Sequence, residues 1–482
     1  MSSVLLSRGV SACLTGSLAL LCACATVGPD YVAPAAPAIS YYAEADPSRT
    51  DAGTADAAQQ LSSTAALSDR WWQAFGSAEL NQVVDLALAG SPTQETAAAA
   101  LAQARAVVEA AGGAWYPQIN FNASASRSRT LAAPDGINSA SLGPTLSLGV
   151  DAFGLTSRRV EQAQALAAVQ EAQAAASRLT LASGVVQQAL ALASALEQTR
   201  AVQHIIAVEQ HNLELVRVAQ AAGKSTGLDV LTAESQVASD RSLLPPLQQQ
   251  ASVARHALAV LVGQTPIQWQ APDFAFAALT LPQELPLSLP SDLLRQRPDI
   301  RAAEAQLRAT SAAIGIASAQ LYPSLTLNAN WSAVSSGGAL LANPASVWSI
   351  AADLVAPLFN GGTLRAQREA AVAAYAGQLG SYRQTLLLAF AQVADGMQAL
   401  HHDAALVDAQ HKALDAAQAT QDLTQQSFEA GQSDFLQVIE TQRQYQQALL
   451  GYVRARAQRY ADTAQWFVSM GGVPTQEGWP GH

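Results

Sequence analysis

Two motifs recur in the same order, about two hundred residues apart. Trp115-Tyr116-Pro117-Gln118-Ile119-Asn120-Phe121-Asn122 returns as Leu321-Tyr322-Pro323-Ser324-Leu325-Thr326-Leu327-Asn328. Ala222-Gly223-Lys224-Ser225, with Leu228 and Val230 behind it, returns as Ala430-Gly431-Gln432-Ser433 with Leu436 and Val438. The first pair is offset by 206 residues and the second by 208. Two landmarks a hundred residues apart that keep nearly one spacing make each half a copy of one structural unit. The fold must therefore hold two copies of the same order: strands, a very long helix, a tight turn and a returning helix. A small enzyme domain has no use for that plan, whereas a conduit does.

The hydrophobic period identifies the strands. Ile119, Phe121, Ala123 and Ala125 alternate with Asn120, Asn122, Ser124 and Ser126; Leu146, Leu148, Val150 and Ala152 alternate with Thr145, Ser147, Gly149 and Asp151. In the second copy Leu325, Leu327, Ala329, Trp331 and Ala333 alternate with Thr326, Asn328, Asn330 and Ser332. Trp348, Ile350, Ala352 and Leu354 alternate with Ser349, Ala351 and Asp353. Such alternation describes a membrane barrel strand, lipid on one face and water on the other. It also describes a half-buried strand of a soluble sheet. The duplication and the N-terminal signal described below favour the membrane reading. Four strands cannot close a membrane barrel, which needs about 8, so the chain must pool strands with copies of itself. A dimer would supply eight and a trimer twelve.

Between the strand pairs the period becomes helical. Leu155 to Ala222 contains no proline and one glycine, Gly184, and Thr363 to Ala430 also lacks proline. A helix of ~68 residues would be ~100 Å long. Val202, Ile206, Leu213 and Val216 form the stripe of a helix that packs on a neighbour. Ala and Gln, both strong helix formers, fill much of the rest. Return helices are expected from about Leu228 to Leu261 and from Phe435 to Met470, the first broken or kinked at Pro245-Pro246. Shorter helices are expected over Trp71–Gly90 and Thr93–Ala111.

The start of the chain is an export signal. Arg8 is its only charge before Asp30, and the apolar run Leu14–Leu21 is far shorter than the ~20 residues of a membrane-spanning helix. Leu21-Cys22-Ala23-Cys24 has the lipobox pattern of bacterial lipoproteins, with Cys24 the lipidated residue and Ala25 compatible with delivery to the outer membrane. Cys13, Cys22 and Cys24 are the only cysteines, so the mature chain can form no internal disulfide and no cysteine metal site. Val27 to Leu67, with Pro29, Pro34 and Pro37, reads as an extended, poorly packed linker. No run of 18 or more apolar residues follows the signal. The net charge of −11 and a pI near 5.1 argue against a nucleic-acid partner.

One stretch is more specific. Leu293-Leu294-Arg295-Gln296-Arg297-Pro298-Asp299-Ile300-Arg301-Ala302-Ala303-Glu304 continues to Leu307, Ile314-Gly315 and Tyr322-Pro323-Ser324. It closely resembles the outer-membrane efflux factors of the TolC superfamily, in the lipoprotein branch of OprM- and NodT-like proteins. Cys24 followed by Val27-Gly28-Pro29-Asp30-Tyr31, Leu244-Pro245-Pro246-Leu247, and Ala257-Leu258-Ala259-Val260-Leu261-Val262-Gly263 resemble that branch too. The resemblance covers essentially the whole mature chain. It implies a mainly α fold with a membrane β-barrel portion: a trimeric 12-stranded β-barrel continued by a long periplasmic α-helical barrel. The implied partners are a homotrimer's own copies, a periplasmic membrane-fusion adaptor, an inner-membrane transporter of RND or MFS type, and outer-membrane lipid. No cofactor and no catalysed reaction is implied.

On this reading residues 1–23 are the signal, 24–70 a lipid-anchored linker and 71–263 the first repeat. Residues 264–291 form an equatorial inter-repeat linker, 292–470 the second repeat and 471–482 a tail. The resemblance makes Gly223, Ser225, Gly431 and Ser433 adaptor-docking candidates; the plainer reading is that glycine and serine stop and cap helices. It aligns Leu436–Arg443 with the family's gate helix. Glu440 stands where many members carry Asp, Arg443 matches a nearby Arg, and Gln437 is neutral where some relatives have a second Asp. A threefold axis would make Glu440 a ring of carboxylates that sets an electrostatic barrier; alone, Glu440 and Arg443 are an ordinary i,i+3 surface pair. His204, His211 and His401-His402-Asp403 carry no metal-site spacing and read as solvated helix faces. Rival readings are a periplasmic coiled-coil structural or adaptor lipoprotein, and an exit duct for secreted proteins or metal ions.

Overall fold

The computed structural model describes residues 26–35 and 58–471, apart from 64, 66, 131–132, 289–292, 294–295 and 337–343. Cys24, the expected export signal and residues beyond 471 lie outside the described residues. In chain order the elements are β1 (Gln60–Ser62), α1 (Ala78–Gly90), α2 (Pro92–Gly112), β2 (Gln118–Thr130), β3 (Ala133–Val150), α3 (Leu155–Ala221) and α4 (Gly227–Arg241). There follow α5 (Leu244–Leu261), β4 (Glu284–Pro286), α6 (Pro298–Ala319), β5 (Ser324–Ser336), β6 (Ala345–Val355), α7 (Thr363–Glu429) and α8 (Phe435–Ser469). The chain divides into two compact units, and each takes corresponding pieces from both halves of the sequence. One comprises 1–35, 99–171 and 302–384; the other 36–98, 172–301 and 385–482.

The first unit carries one antiparallel sheet in the order β2-β3-β5-β6. Its register sorts the side chains by chemistry. On one face Ile119 pairs with Leu146, Leu148 with Leu327, Leu325 with Leu354, Ala329 with Ile350 and Trp331 with Trp348. On the other face Asn120 pairs with Thr145, Ser147 with Asn328 and Thr326 with Asp353. Hydroxyls and amides bond across the polar face: Ser124 to Ser141 and Ser126 to Ser139 at 2.7 Å each, and Asn328 to Asp353 at 2.7 Å. A one-residue slip would exchange the two faces, so the pattern fixes the register. The first hairpin runs beyond the alternation, with Arg127 pairing Asn138 and Ser128 pairing Ile137. There the backbone ladder continues where the hydrophobic pattern has stopped.

Residues 26–31 also belong to this unit, and they are tied down, not loose. Val27 N–H donates to the Phe153 carbonyl at 3.2 Å. The buried Arg158 guanidinium bonds Asp30 and Glu161 at 2.8 and 2.7 Å. Gly28, at φ +96°, sits so close that a Cβ would lie 2.6 Å from the Gly315 Cα. The linker expectation fails at its other end as well. Gln59 is buried and donates to the Pro282 carbonyl and to Thr463 at 3.1 Å, and β1 pairs in parallel with β4. Residues 36–57 lie outside the described residues.

The second unit is built on a core of Trp71, Phe75, Leu80, Val84, Val185, Leu192, Phe276, Leu285, Trp466 and Phe467. Trp71 stacks on Phe467 with centroids 5.5 Å apart. The Trp466 indole donates to the Pro286 carbonyl at 2.9 Å, and the Tyr460 hydroxyl to the Leu279 carbonyl at 3.2 Å. The segment after α5 is thus part of the core. An 18-residue window of α3 has a mean hydropathy of 1.5, apolar enough by composition to cross a membrane, although no unbroken apolar run is that long. More than half of that window is buried within the protein, and α3 supplies Leu181, Val185, Val186, Leu190 and Leu192 to the core. We read it as a core helix. The expected first return helix is two helices, α4 and α5, separated at Ser242-Leu243. Pro245 and Pro246 sit in the first turn of α5, where a missing N–H costs no helical bond.

Candidate functional site

Both long helices end identically. At the end of α3 the Gly223 N–H donates to the Gln220 carbonyl at 2.9 Å and the Lys224 N–H to Ala219 at 2.8 Å. At the end of α7 the Gly431 N–H donates to Phe428 at 2.9 Å and the Gln432 N–H to Ser427 at 2.8 Å. Both glycines have φ +72°. This is the Schellman stop, which demands a left-handed residue and hence favours glycine. An added Cβ at either glycine would meet nothing within 4 Å, so the demand comes from the backbone alone.

The neighbouring serines are not the caps of the following helices. Thr226 caps α4 in a full capping box with Asp229: the Asp229 N–H donates to Thr226 Oγ1 at 3.3 Å, and the Thr226 N–H to Asp229 Oδ2 at 2.7 Å. Asp434 caps α8, accepting from the Gln437 N–H at 2.9 Å. Ser433 instead donates back to the Thr424 carbonyl of α7 at 3.4 Å. The Thr-x-x-Asp spacing at 226–229 was the sequence signal for this cap. Above the turns Val216 and Ala233 of one hairpin share a cluster with Phe435 and Val438 of the other. Leu228, Leu231 and Leu436 remain exposed.

The gate candidates lie along one exposed face of α8. Arg443 Nη2 donates to both Glu440 oxygens, at 2.8 and 2.7 Å, and Gln444 donates to Oε1 at 3.0 Å. The bonds from Arg443 and Gln444 hold the Glu440 carboxyl below its ordinary range, so it is anionic at neutral pH. Gln437, one turn earlier, is exposed on the same face.

Behind that face lies a polar layer that sequence reasoning missed. Gln446 of α8 donates to Asp240 Oδ1 at 2.8 Å, and Gln236 to Oδ2 at 3.1 Å. Gln425 of α7 donates to Asn212 of α3 at 3.3 Å, and Gln421 to Gln442. Asp240 is 2% exposed and Glu209 6%. Glu209, Asn212, Gln236 and Gln442 line a cavity of about 10 Å³ with Val438 and Ile439. The missed signal was positional, because Glu209 falls inside the stripe running from Val202 through Ile206 to Leu213 and Val216.

The histidine faces hold only in part. His204, His211 and His402 are exposed, but Asp403 is buried. Burial, then the Asp462 carboxyl, push Asp403 up to about 7 against the opposing Arg459. Among the described residues no group of three His, Cys, Asp or Glu side chains is placed to hold a metal ion.

The model of the outer membrane efflux protein family matches residues 83–264 and 289–472. The chain is 34% identical over 443 residues to the pyoverdine export outer membrane protein OpmQ of Pseudomonas aeruginosa, covering 88% of this chain and 93% of that one. It is 27% identical to the toluene efflux pump outer membrane protein TtgC of Pseudomonas putida, covering 94% and 92%. The solved outer-membrane channel OprN superposes with a TM-score of 0.83 at 27% identity, covering 93% of this chain and 99% of that one. The twofold match of the family model follows the twofold sequence repeat, and the sheet and long helices have the fold of a solved channel. The chain belongs to the outer membrane efflux protein family.

Proposed function

We propose that the protein is the outer-membrane exit duct of a tripartite efflux pump, passing small molecules from an inner-membrane transporter and a periplasmic adaptor to the outside. The observation that carries this, beyond family membership, is the sheet. It has one apolar and one polar face, and among the described residues its outer strands β2 and β6 each keep an unpaired edge. Three copies would close twelve strands with the apolar face to lipid, consistent with the efflux names of the relatives. We read 71–263 and 292–470 as the two repeats. Gly223, Ser225, Gly431 and Ser433 mark the adaptor-docking turns, and Cys24 the lipid anchor. The Glu440 carboxylate, kept charged by Arg443, supplies the barrier at the constriction, with Gln437 as a neutral position beside it. The transporter is of RND or MFS type.

The test is stoichiometry and conductance together. Protein solubilised from outer membranes in mild detergent should be a trimer, and it should form channels in planar bilayers. A detergent-free monomer without conductance would overturn the reading. Glu440→Ala should raise conductance or the frequency of opening and weaken cation preference, and unchanged values would remove Glu440 from the gate.

A further inference from the structure

We propose that Glu209 and Asp240 share one proton, and that this proton latches α8 against the α3–α4 hairpin. The proposal rests on reading α8 as the gate helix and adds a second element behind it. Both carboxyls are more than nine-tenths buried. Both Glu209 oxygens are fully enclosed, and neither makes a well-formed hydrogen bond among the described residues. The nearby Gln236 amide favours the ionised form, but less than burial and Asp240 oppose it. Asp240 accepts from the amides of Gln236 and Gln446, and among the described residues neither carboxyl is in an ion pair. Two carboxylates cannot both be ionised in such a place, because each buried charge needs a partner. A proton on Glu209 removes one charge and makes its O–H a donor to Asp240, which lies within hydrogen-bonding reach.

The cations Arg217 and Arg443 of the surrounding elements are engaged elsewhere, and Arg241, next to Asp240 on α4, is exposed. On α3 and α4, Arg217 bonds Glu234 at 2.6 Å on the exposed side. On α8, Arg443 bonds Glu440, and Tyr445 feels Asp422 of α7. Among the described residues the ionisable group that acts on Glu209 is Asp240. Burial first, and then Asp240, raise Glu209 to about 9. The sign follows: a carboxyl raised in the folded state contributes stability that is complete below 4.5 and is lost as the pH climbs through about 9. Asp240 holds Gln446, which lies one turn beyond Arg443 on α8. Ionising Glu209 puts two buried charges behind the gate face, and separating α8 from the hairpin is the way to hydrate them.

The test compares purified wild-type trimer with Glu209→Gln, which keeps the donor but cannot ionise. Infrared difference spectra at about pH 8, where Asp403 is largely ionised, should show the carbonyl band of a protonated carboxylic acid in the wild type and lose it in Glu209→Gln. Absence of that band, or its survival in the variant, overturns the shared proton. In planar bilayers the wild type should open at least several-fold more often at about pH 10 than at about pH 7, and Glu209→Gln should be flat. The same pH dependence in both proteins overturns the latch. A band that behaves as expected while Glu440→Ala leaves conductance unchanged places the failure in the gate reading, and not in the proton. Asp240→Asn is the second variant: it leaves Glu209 buried but removes the neighbouring charge, so the rise in opening should persist and move to lower pH. An unmoved profile would overturn the pairing of the two carboxyls.

Discussion

Arg297 explains why its surrounding stretch is so specific. It is 7% exposed on its side chain, yet it makes four contacts of different kinds. Two go to Asp299 at 3.1 and 2.7 Å, one to the Ser469 carbonyl at 2.8 Å and one to Gln392 at 2.7 Å. It thus joins the start of α6, the middle of α7 and the last residue of α8. Gly471, at φ +96°, lets the chain pass, since a Cβ there would lie 2.9 Å from the Arg297 Cγ. Arg297→Ala should lower stability by about 2 kcal/mol, the scale of hydrogen bonds to a charged group. Arg297→Lys should restore only part of this, because an ammonium cannot bond Asp299 through a fork. Melting temperatures of the three proteins check it, and full recovery in the lysine variant would contradict it. Asp403 allows a second prediction. Its folded value near 7 lies above its ordinary 3.8, so its contribution is complete at low pH and is lost as the pH rises through about 7. Asp403→Asn should therefore flatten the decline of melting temperature between about pH 5 and 7. Superimposable profiles for variant and wild type would rule this out.

At the scale of elements, the glycine stops separate folding from docking. Gly223→Ala and Gly431→Ala force a Cβ into the left-handed region, at a cost of about 1 kcal/mol each. Asparagine tolerates that conformation better, and the space around both positions is open. If the turns only reverse the chain, Gly431→Asn should keep both the melting temperature and pump activity. If they dock an adaptor, as proposed, Gly431→Asn should keep the trimer but lose efflux in a complementation assay. The bounds of these helices were legible in the sequence to within a residue, because glycine after a long proline-free run is an unambiguous stop. The strands were legible through alternation, but only as far as Ser126, after which serine and arginine carry no face. The cap at Thr226 was legible and overlooked, while the role of Asp434 needed coordinates to separate it from Ser433 beside it. Glu440 was found through resemblance, and the structure adds its two bonds to Arg443. The buried polar layer was legible only at Glu209, which falls inside the apolar stripe of α3; nothing local marks Asn212, Asp240 or Gln446 as buried rather than solvated on alanine- and glutamine-rich helices. The docked strap at Val27–Tyr31 was misread for the same reason: proline-rich composition suggests extended chain, but not what the chain lies against.

At the scale of the whole molecule, the sheet is the element a protomer cannot complete. A long strand with an open edge is a template for pairing, and closure into a barrel is the arrangement that removes edges altogether. β6 is exposed along its entire length in the protomer, including Trp348, Ile350 and Leu354. The two faces of that strand are then unequal in a way that can be measured. Ile350 pairs with Ala329 on the apolar face, whereas Ser349 pairs with Asn330 on the polar one. With lipid against the first face and water in the lumen against the second, a lysine at 350 should cost roughly 2–4 kcal/mol near the bilayer midplane. The same lysine at 349 should cost little, because the lumen hydrates it. Neighbouring positions thus carry the same substitution with opposite expectations, and strand propensity and chain length cancel between them. Ile350→Lys should reduce detergent-resistant trimer and outer-membrane yield several-fold, and Ser349→Lys should leave both near wild type while shifting ion selectivity toward anions. Equal yields, or a greater loss at 349, would mean that the apolar face is covered by protein and not by lipid.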